Sequence, residues 1–214
     1  MSAATGKNYV VEHMEPEMGA WSTLEYIAIA SETAAAGRGS VFYLTSLQAS
    51  LAADLPATLT EKLGESFVAT TKDVETLSGV PKHRVCLLDP QAEKTLAPED
   101  GDVFDWFVFG GILGDDPPRD RTAELRKYGY TGRNLQKLQM TTDTAVRVTR
   151  IVIEEKKKLD EIPYADYPTL QINKNESTEM PFRYVKDDKG TPIMPDGMME
   201  LIKLDADKSL EDMF

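Results

Sequence analysis

The chain has 214 residues, 41% hydrophobic and 28% charged, which suits one well-buried core with an appended lobe. It has no run of about 18 apolar residues and no secretory-type apolar opening, so neither a membrane span nor a signal peptide is expected. Its single cysteine, Cys86, excludes an internal disulfide and fits a reducing, cytoplasmic setting, while a net charge of −12 disfavours phosphate backbones and suits basic partners.

Apolar runs alternate with helical patterns, the mark of α/β architecture. Tyr9, Val10 and Val11 predict a first short strand. Residues 21–36 predict a helix with Trp21, Leu24, Ile27 and Ala28 on one stripe, ended by Gly37 and Gly39. Residues 40–45 (SVFYLT) predict a second strand, 48–63 a helical stretch broken at Pro56, and 67–69 a third strand before a turn that Asp73 caps. Residues 84–88 (RVCLL) predict a strand stopped by Asp89 and Pro90, 105–109 (DWFVF) the most buried strand, and 134–140 (NLQKLQM) a further strand by alternation. Residues 142–159 predict a long helix whose basic end, Lys156, Lys157 and Lys158, suits the helix dipole. Beyond residue 160 prolines leave two strand-like pieces, 169–172 and 182–185, and a short helix near 198–204, with an acidic tail expected to fray. The expected organisation is a core domain over 1–160 and an extension over 161–214 packed on the same domain.

Absences narrow the chemistry. With two histidines and one cysteine the chain has no zinc-ligand spacing, and no metal site is expected. It has no P-loop, no GxGxxG after a strand and no GxSxG elbow. Cys86 sits in an apolar run, as a buried structural thiol does. An enzyme built this way draws its reactive group from an organic cofactor.

In parallel α/β sheets ligands bind beyond the carboxyl ends of strands. Three predicted strands are followed there by Asp89-Pro90-Gln91, by Gly110-Gly111-Ile112-Leu113-Gly114-Asp115-Asp116, and by Thr141-Thr142-Asp143. Glycines let a backbone come close to a ligand, and the threonines or Asp143 are also ordinary helix caps.

These three loops, in this order, resemble the cofactor loops of the SPOUT methyltransferases. The stretches 110–122 (GGILGDDPPRDRT), 139–149 (QMTTDTAVRVT) and 180–184 (MPFRY), with His13, Met14, Glu15, Trp21 and 24–26 (LEY), are similar to a fungal and archaeal family of that class. That family was once labelled as RNA methyltransferases and includes a yeast protein arginine methyltransferase acting on a small-subunit ribosomal protein. The resemblance implies an α/β fold of the SPOUT type, a parallel sheet with helices on both faces and a C-terminal trefoil knot. The chain after the strand at 134–140 would thread the loop after the strand at 105–109. It implies that S-adenosylmethionine rests against Leu88, Asp89 and Pro90, against Phe109, Gly110, Gly111, Ile112, Leu113 and Gly114, and against Leu138, Gln139, Met140, Thr141, Thr142 and Thr144. It also implies a monomer.

For an arginine acceptor, carboxylates are needed to orient the guanidinium and to receive a proton. The candidates are Glu15, Glu17, Asp115 and Asp143, with Asp116 and Trp21 as substrate contacts. Glu17 equally reads as a solvated loop acid, Asp143 as a cap and Trp21 as a core residue. The leading expectation is methylation of a basic small-subunit ribosomal protein, to which an acidic surface is suited. RNA methylation is the alternative, for which Arg119, Arg121, Arg126, Lys127 and Arg133 offer a basic track. A cofactor-binding ribosome-assembly factor without catalysis is the third.

Overall fold

Apolar residues of opposite facing alternate along each short strand, and this alternation builds the sheet. Tyr9 and Val11, Phe42 and Leu44, Cys86 and Leu88, and Phe107 and Phe109 all enter one buried cluster, while Val10, Val85, Leu87 and Val108 enter a second on the opposite face. The computed structural model describes residues 6–60, 64–77, 79–110, 122–174 and 176–211, with side chains to residue 205.

The strands are β1 (Asn8–Glu12), β2 (Val41–Thr45), β3 (Phe67–Ala69), β4 (Val85–Leu88), β5 (Trp106–Gly110) and β6 (Thr131–Arg133). They form a six-stranded sheet in the order β3-β2-β1-β5-β4-β6, and every pairing is parallel. Between them lie α1 (Ala20–Ala35), α2 (Ala49–Ala53), α3 (Ala57–Thr60), α4 (Asp100–Val103), α5 (Thr122–Arg126) and α6 (Thr142–Glu154). The larger apolar cluster takes Tyr26, Ile29 and Ala30 of α1 and Val146, Val148 and Val152 of α6, so both long helices cover one face. Leu125 of short α5 covers the other, together with Tyr130.

The last quarter adds β7 (Tyr164–Asp166), β8 (Thr169–Asn173), β9 (Glu176–Glu179), β10 (Arg183–Val185) and α7 (Met198–Glu211). β7 pairs antiparallel with β10, and β8 with β9. Helix α7 runs past the expected end near residue 204. Among the described residues no helix is long and apolar enough to cross a membrane.

Three earlier elements also differ from expectation. The strand expected at 134–140 is instead β6, at Thr131–Arg133, and 135–139 is irregular chain. Helix α6 stops at Glu154 rather than 159, because Lys156 turns to φ 60° and its Nζ donates to Pro98 O at 2.9 Å. The fully buried face of α1 is Ser22, Glu25, Tyr26, Ile29, Ala30 and Thr33, not the Trp21 stripe. Trp21 packs instead on the Met180, Phe182 and Tyr184 cluster, and Leu24 lies beside Gly197. The helix therefore presents one apolar face to the sheet and another to the C-terminal extension.

Candidate functional site: a cavity at the strand ends

Beyond the carboxyl ends of β4 and β5 lies a cavity of about 320 Å³, bounded by residues 88–91, Phe109, Gly110, Thr122, residues 135–140, Thr142 and Ala145. This size lies at the lower end of small-molecule sites. Leu88, Phe109, Leu135, Leu138 and Met140 supply an apolar lining, and Asp89, Gln91, Gln136 and Gln139 supply polar groups.

The first wall is a tight turn. The Asp89 N–H donates to Arg133 O at 2.8 Å, and the Ala92 N–H donates back to Asp89 O at 3.0 Å. Arg126 of α5 grips the Asp89 carboxylate with two N–H groups, both at 2.6 Å, and the Gln91 N–H donates to it at 2.9 Å. Burial raises the Asp89 pKa, but Arg126 and the Gln91 amide outweigh it and hold the carboxyl below the usual carboxylate value. Gly132 passes close behind, where an added Cβ would meet Ala92 Cβ at 3.0 Å.

The second wall, 135–140, is held from both ends. Asn134 Nδ2 donates to Ala92 O at 2.8 Å, and its Oδ1 accepts the Gln136 N–H at 3.0 Å. Gln136 takes φ 73°, a left-handed conformation that costs a non-glycine residue about 1–3 kcal/mol and persists only where neighbours fix it. Gln139 brings a buried side-chain amide nitrogen that has no partner among the described residues.

Behind the cavity, α6 begins on an unusual cap. Thr141 makes no side-chain cap bond; its hydroxyl meets that of Thr144 at 2.8 Å. Instead Glu25 of α1 accepts the Thr142 N–H at 3.0 Å, so one helix supplies the acid that satisfies the first turn of the other. Glu25 is wholly buried beside Asp143, whose Oδ2 accepts from Arg147 at 3.3 Å. Arg147 also pairs with Glu32, and Arg150 reaches Glu32 at 2.9 Å. Burial, and then the neighbouring Asp143 charge, push the Glu25 carboxyl well above its ordinary range; burial also raises Asp143 against the pull of Arg147. Among the described residues Glu25 Oε2 and Asp143 Oδ1 are both buried without a hydrogen-bond partner. Burial beside one another favours a proton on this carboxyl pair. The Trp21 indole N–H approaches Glu25 without completing a hydrogen bond.

Residues 8–209 match the family described as protein arginine N-methyltransferase SFM1-like. The chain belongs to this family. It is 46% identical to the protein arginine N-methyltransferase SFM1 of Saccharomyces cerevisiae, over 96% of this chain and 98% of that one. The crystal structure of the yeast arginine methyltransferase SFM1 complexed with SAM superposes with a TM-score of 0.83 at 45% identity, covering 95% of this chain and 93% of that one. A dual-specific Trm10 from Thermococcus kodakaraensis shares the fold at 20% identity, with a TM-score of 0.52 over 73% of this chain and 96% of that one.

With the family known, the residues expected to hold the cofactor can be placed. Leu88, Asp89, Pro90, Phe109, Gly110, Leu138, Gln139, Met140 and Thr142 line one cavity. Thr141 and Thr144 do not line it; they are buried and bond to each other at the start of α6. Gly111, Ile112, Leu113, Gly114, Asp115 and Asp116 lie outside the described residues. Asp143, expected as a catalytic acid, does not line the cavity; it is buried beside Glu25 and paired with Arg147 at 3.3 Å. Glu15 and exposed Glu17 lie on the loop after β1, and neither lines the cavity. Trp21 sits half-buried on the C-terminal cluster. Gln91, Thr122, Leu135, Gln136, Lys137 and Ala145 also line the cavity; none was assigned as a contact, although Gln91 lies in the first loop and Thr122 and Ala145 in the stretches that carry the resemblance. Glu25 was given no role either, its signals being its place in 24–26 (LEY) and an acid one turn beyond Trp21 in an apolar helix.

The cavity fits the adenosyl cofactor. Its apolar lining suits a purine ring, and the orphaned Gln139 amide is a donor available to a ligand. Leu88 to Pro90, Gly110 and the 138–140 segment would be the parts to hold it. Among the described residues no group of three or more histidine, cysteine, aspartate or glutamate side chains is placed to hold a metal ion.

Proposed function

We propose that this chain is an S-adenosylmethionine-dependent protein arginine N-methyltransferase, with a basic small-subunit ribosomal protein as its substrate. The 46% identity to yeast SFM1 along almost the whole of both chains carries the reading. The cofactor supplies a methyl group on a positively charged sulfur when bound. The chain's part is to orient an acceptor nitrogen, exclude water and take up a proton. The one carboxylate among the described lining residues, Asp89, is committed to Arg126. We therefore assign the guanidinium grip to Asp115 and Asp116, with Glu15 at the neighbouring strand end.

Charge supports a protein substrate. The net charge is −12, and the basic segment expected to attract RNA is internally paired where described. Arg126 is held by Asp89, Arg133 by Asp100 at 2.8 Å, and Lys127 by Glu124 at 3.7 Å. We also propose the trefoil crossing of the 134–141 segment through the loop after β5, a monomeric state and a cytoplasmic location, on family membership.

The test is transfer of radiolabelled methyl from S-adenosylmethionine into cell extract, followed by separate nuclease and protease digestion. Label that survives nuclease and is released by protease as methylarginine is the expected result. Label lost to nuclease overturns the proposal in favour of RNA.

A further inference from the structure

One residue of the C-terminal extension makes polar contacts to two positions of the cavity wall. Arg183, in β10, donates its backbone N–H to Gln139 O at 2.8 Å, and its Nη1 donates to the Gln136 side-chain carbonyl at 2.8 Å. The same guanidinium makes a two-pronged pair with Asp166 of β7, at 2.6 and 2.9 Å, and lies 4.3 Å from the centre of the Tyr164 ring. Its side chain is only 13% exposed. An isolated bridge also ties Met140 to Arg183.

Each of these contacts has a separate effect. Asp166 and the Tyr164 face use up the charge and fix the plane of the fork. With the plane fixed, the remaining N–H points at Gln136, the residue held at positive φ in the cavity wall. The backbone N–H pins Gln139, whose side-chain amide is buried without a partner in the same wall. One arginine thus grips the wall at two positions three residues apart, from a segment more than forty residues downstream.

We infer that Arg183 is a positioning residue for the cofactor, and that the β7–β10 pair holds the 135–140 wall in its ligand-binding shape. This rests on the cavity being the cofactor site. A lysine at 183 keeps the charge for Asp166 but loses the planar fork, so it cannot serve Asp166 and Gln136 together.

The experiment is isothermal titration of the full chain with S-adenosylhomocysteine, for wild type, Arg183→Lys, Arg183→Ala, Gln136→Ala and the double variant Arg183→Ala with Gln136→Ala. Loss of a charge-assisted hydrogen bond that orders the wall should weaken binding by about tenfold in Arg183→Ala and by several-fold in Gln136→Ala and Arg183→Lys. The double variant should bind no more weakly than Arg183→Ala alone, because both changes break the same contact. Thermal melts without ligand identify any variant that has lost its fold, and exposed Gln136 can be changed without that risk. Unchanged affinity in Gln136→Ala and Arg183→Lys overturns the inference, as does a double variant whose losses simply add. Wild type that fails to bind S-adenosylhomocysteine instead overturns the cofactor assignment itself.

Discussion

Replacing Glu25 by glutamine should stabilise the protein, and should do so increasingly as pH rises. Glu25 accepts the Thr142 N–H on one oxygen, its other oxygen is buried without a partner among the described residues, and the Asp143 carboxyl is its neighbour. Burial raises both carboxyls, so the folded pair retains a proton that the unfolded chain releases near the ordinary glutamate value of 4.5. A raised folded-state pKa gives stability that is complete below the unfolded pKa and is lost as pH climbs through the folded one. Above pH 4.5 the wild type therefore loses up to about 1.4 kcal/mol per pH unit from this pair. Glutamine at 25 accepts from Thr142 and donates to Asp143 with no proton to take up, so its own contribution is flat. The gap between variant and wild type should therefore widen as pH rises above 4.5, by at most about 1.4 kcal/mol per unit, read from urea unfolding at several pH values. Alanine at 25 removes the cap and leaves Asp143 facing an empty site, at a cost of about 3–5 kcal/mol. A glutamine variant whose advantage does not change over that pH range would refute the retained proton.

Asp89→Asn should cost about 1–2 kcal/mol near neutral pH, because Arg126 loses its ionised partner at the cavity turn. Asp89 is held below its ordinary pKa, so this difference is present above the unfolded value, near pH 4, and closes as pH falls through the folded one; urea titrations at pH 3 and 7 check it. Gly132→Val should cost about 1–3 kcal/mol and loosen S-adenosylhomocysteine, since a Cβ there already meets Ala92 at 3.0 Å; melting and titration together read it. Cys86 is fully buried and burial pushes its thiol far up, so Ellman's reagent should label it only after denaturation.

Strands whose two faces are both buried were plain in the sequence. β4 and β5 are continuous apolar runs, and each begins and ends within a residue of its expected place. The edge strand β6 was not plain, because Thr-Gly-Arg carries no apolar signal. Beyond it Leu138 and Met140 are spaced as in a strand, yet with Leu135 they line a cavity. Periodicity records burial and not what does the burying. The same holds on α1, where Trp21 and Leu24 of the expected stripe meet the extension while Ile27 packs on the sheet-side cluster, and the buried sheet-facing side includes an acid, Glu25. Much of the cavity lining was legible because loops after parallel strands are where ligands sit. The Glu25 and Arg183 contacts were not, because each joins segments more than forty residues apart that no local pattern connects.

The bond from Arg183 to Gln139 also bears on when the protein becomes competent during its own synthesis. All six strands of the parallel sheet precede residue 134, so a nascent chain can assemble its core early. The cavity wall gains its downstream brace only when β10 has emerged. A chain stalled or clipped before that strand would have the whole parallel sheet but lack this brace and Val185 of the main apolar cluster, and on the inference above it would be poor at retaining ligand. Added S-adenosylhomocysteine would then raise the melting temperature of complete molecules and leave that of shortened ones almost unmoved.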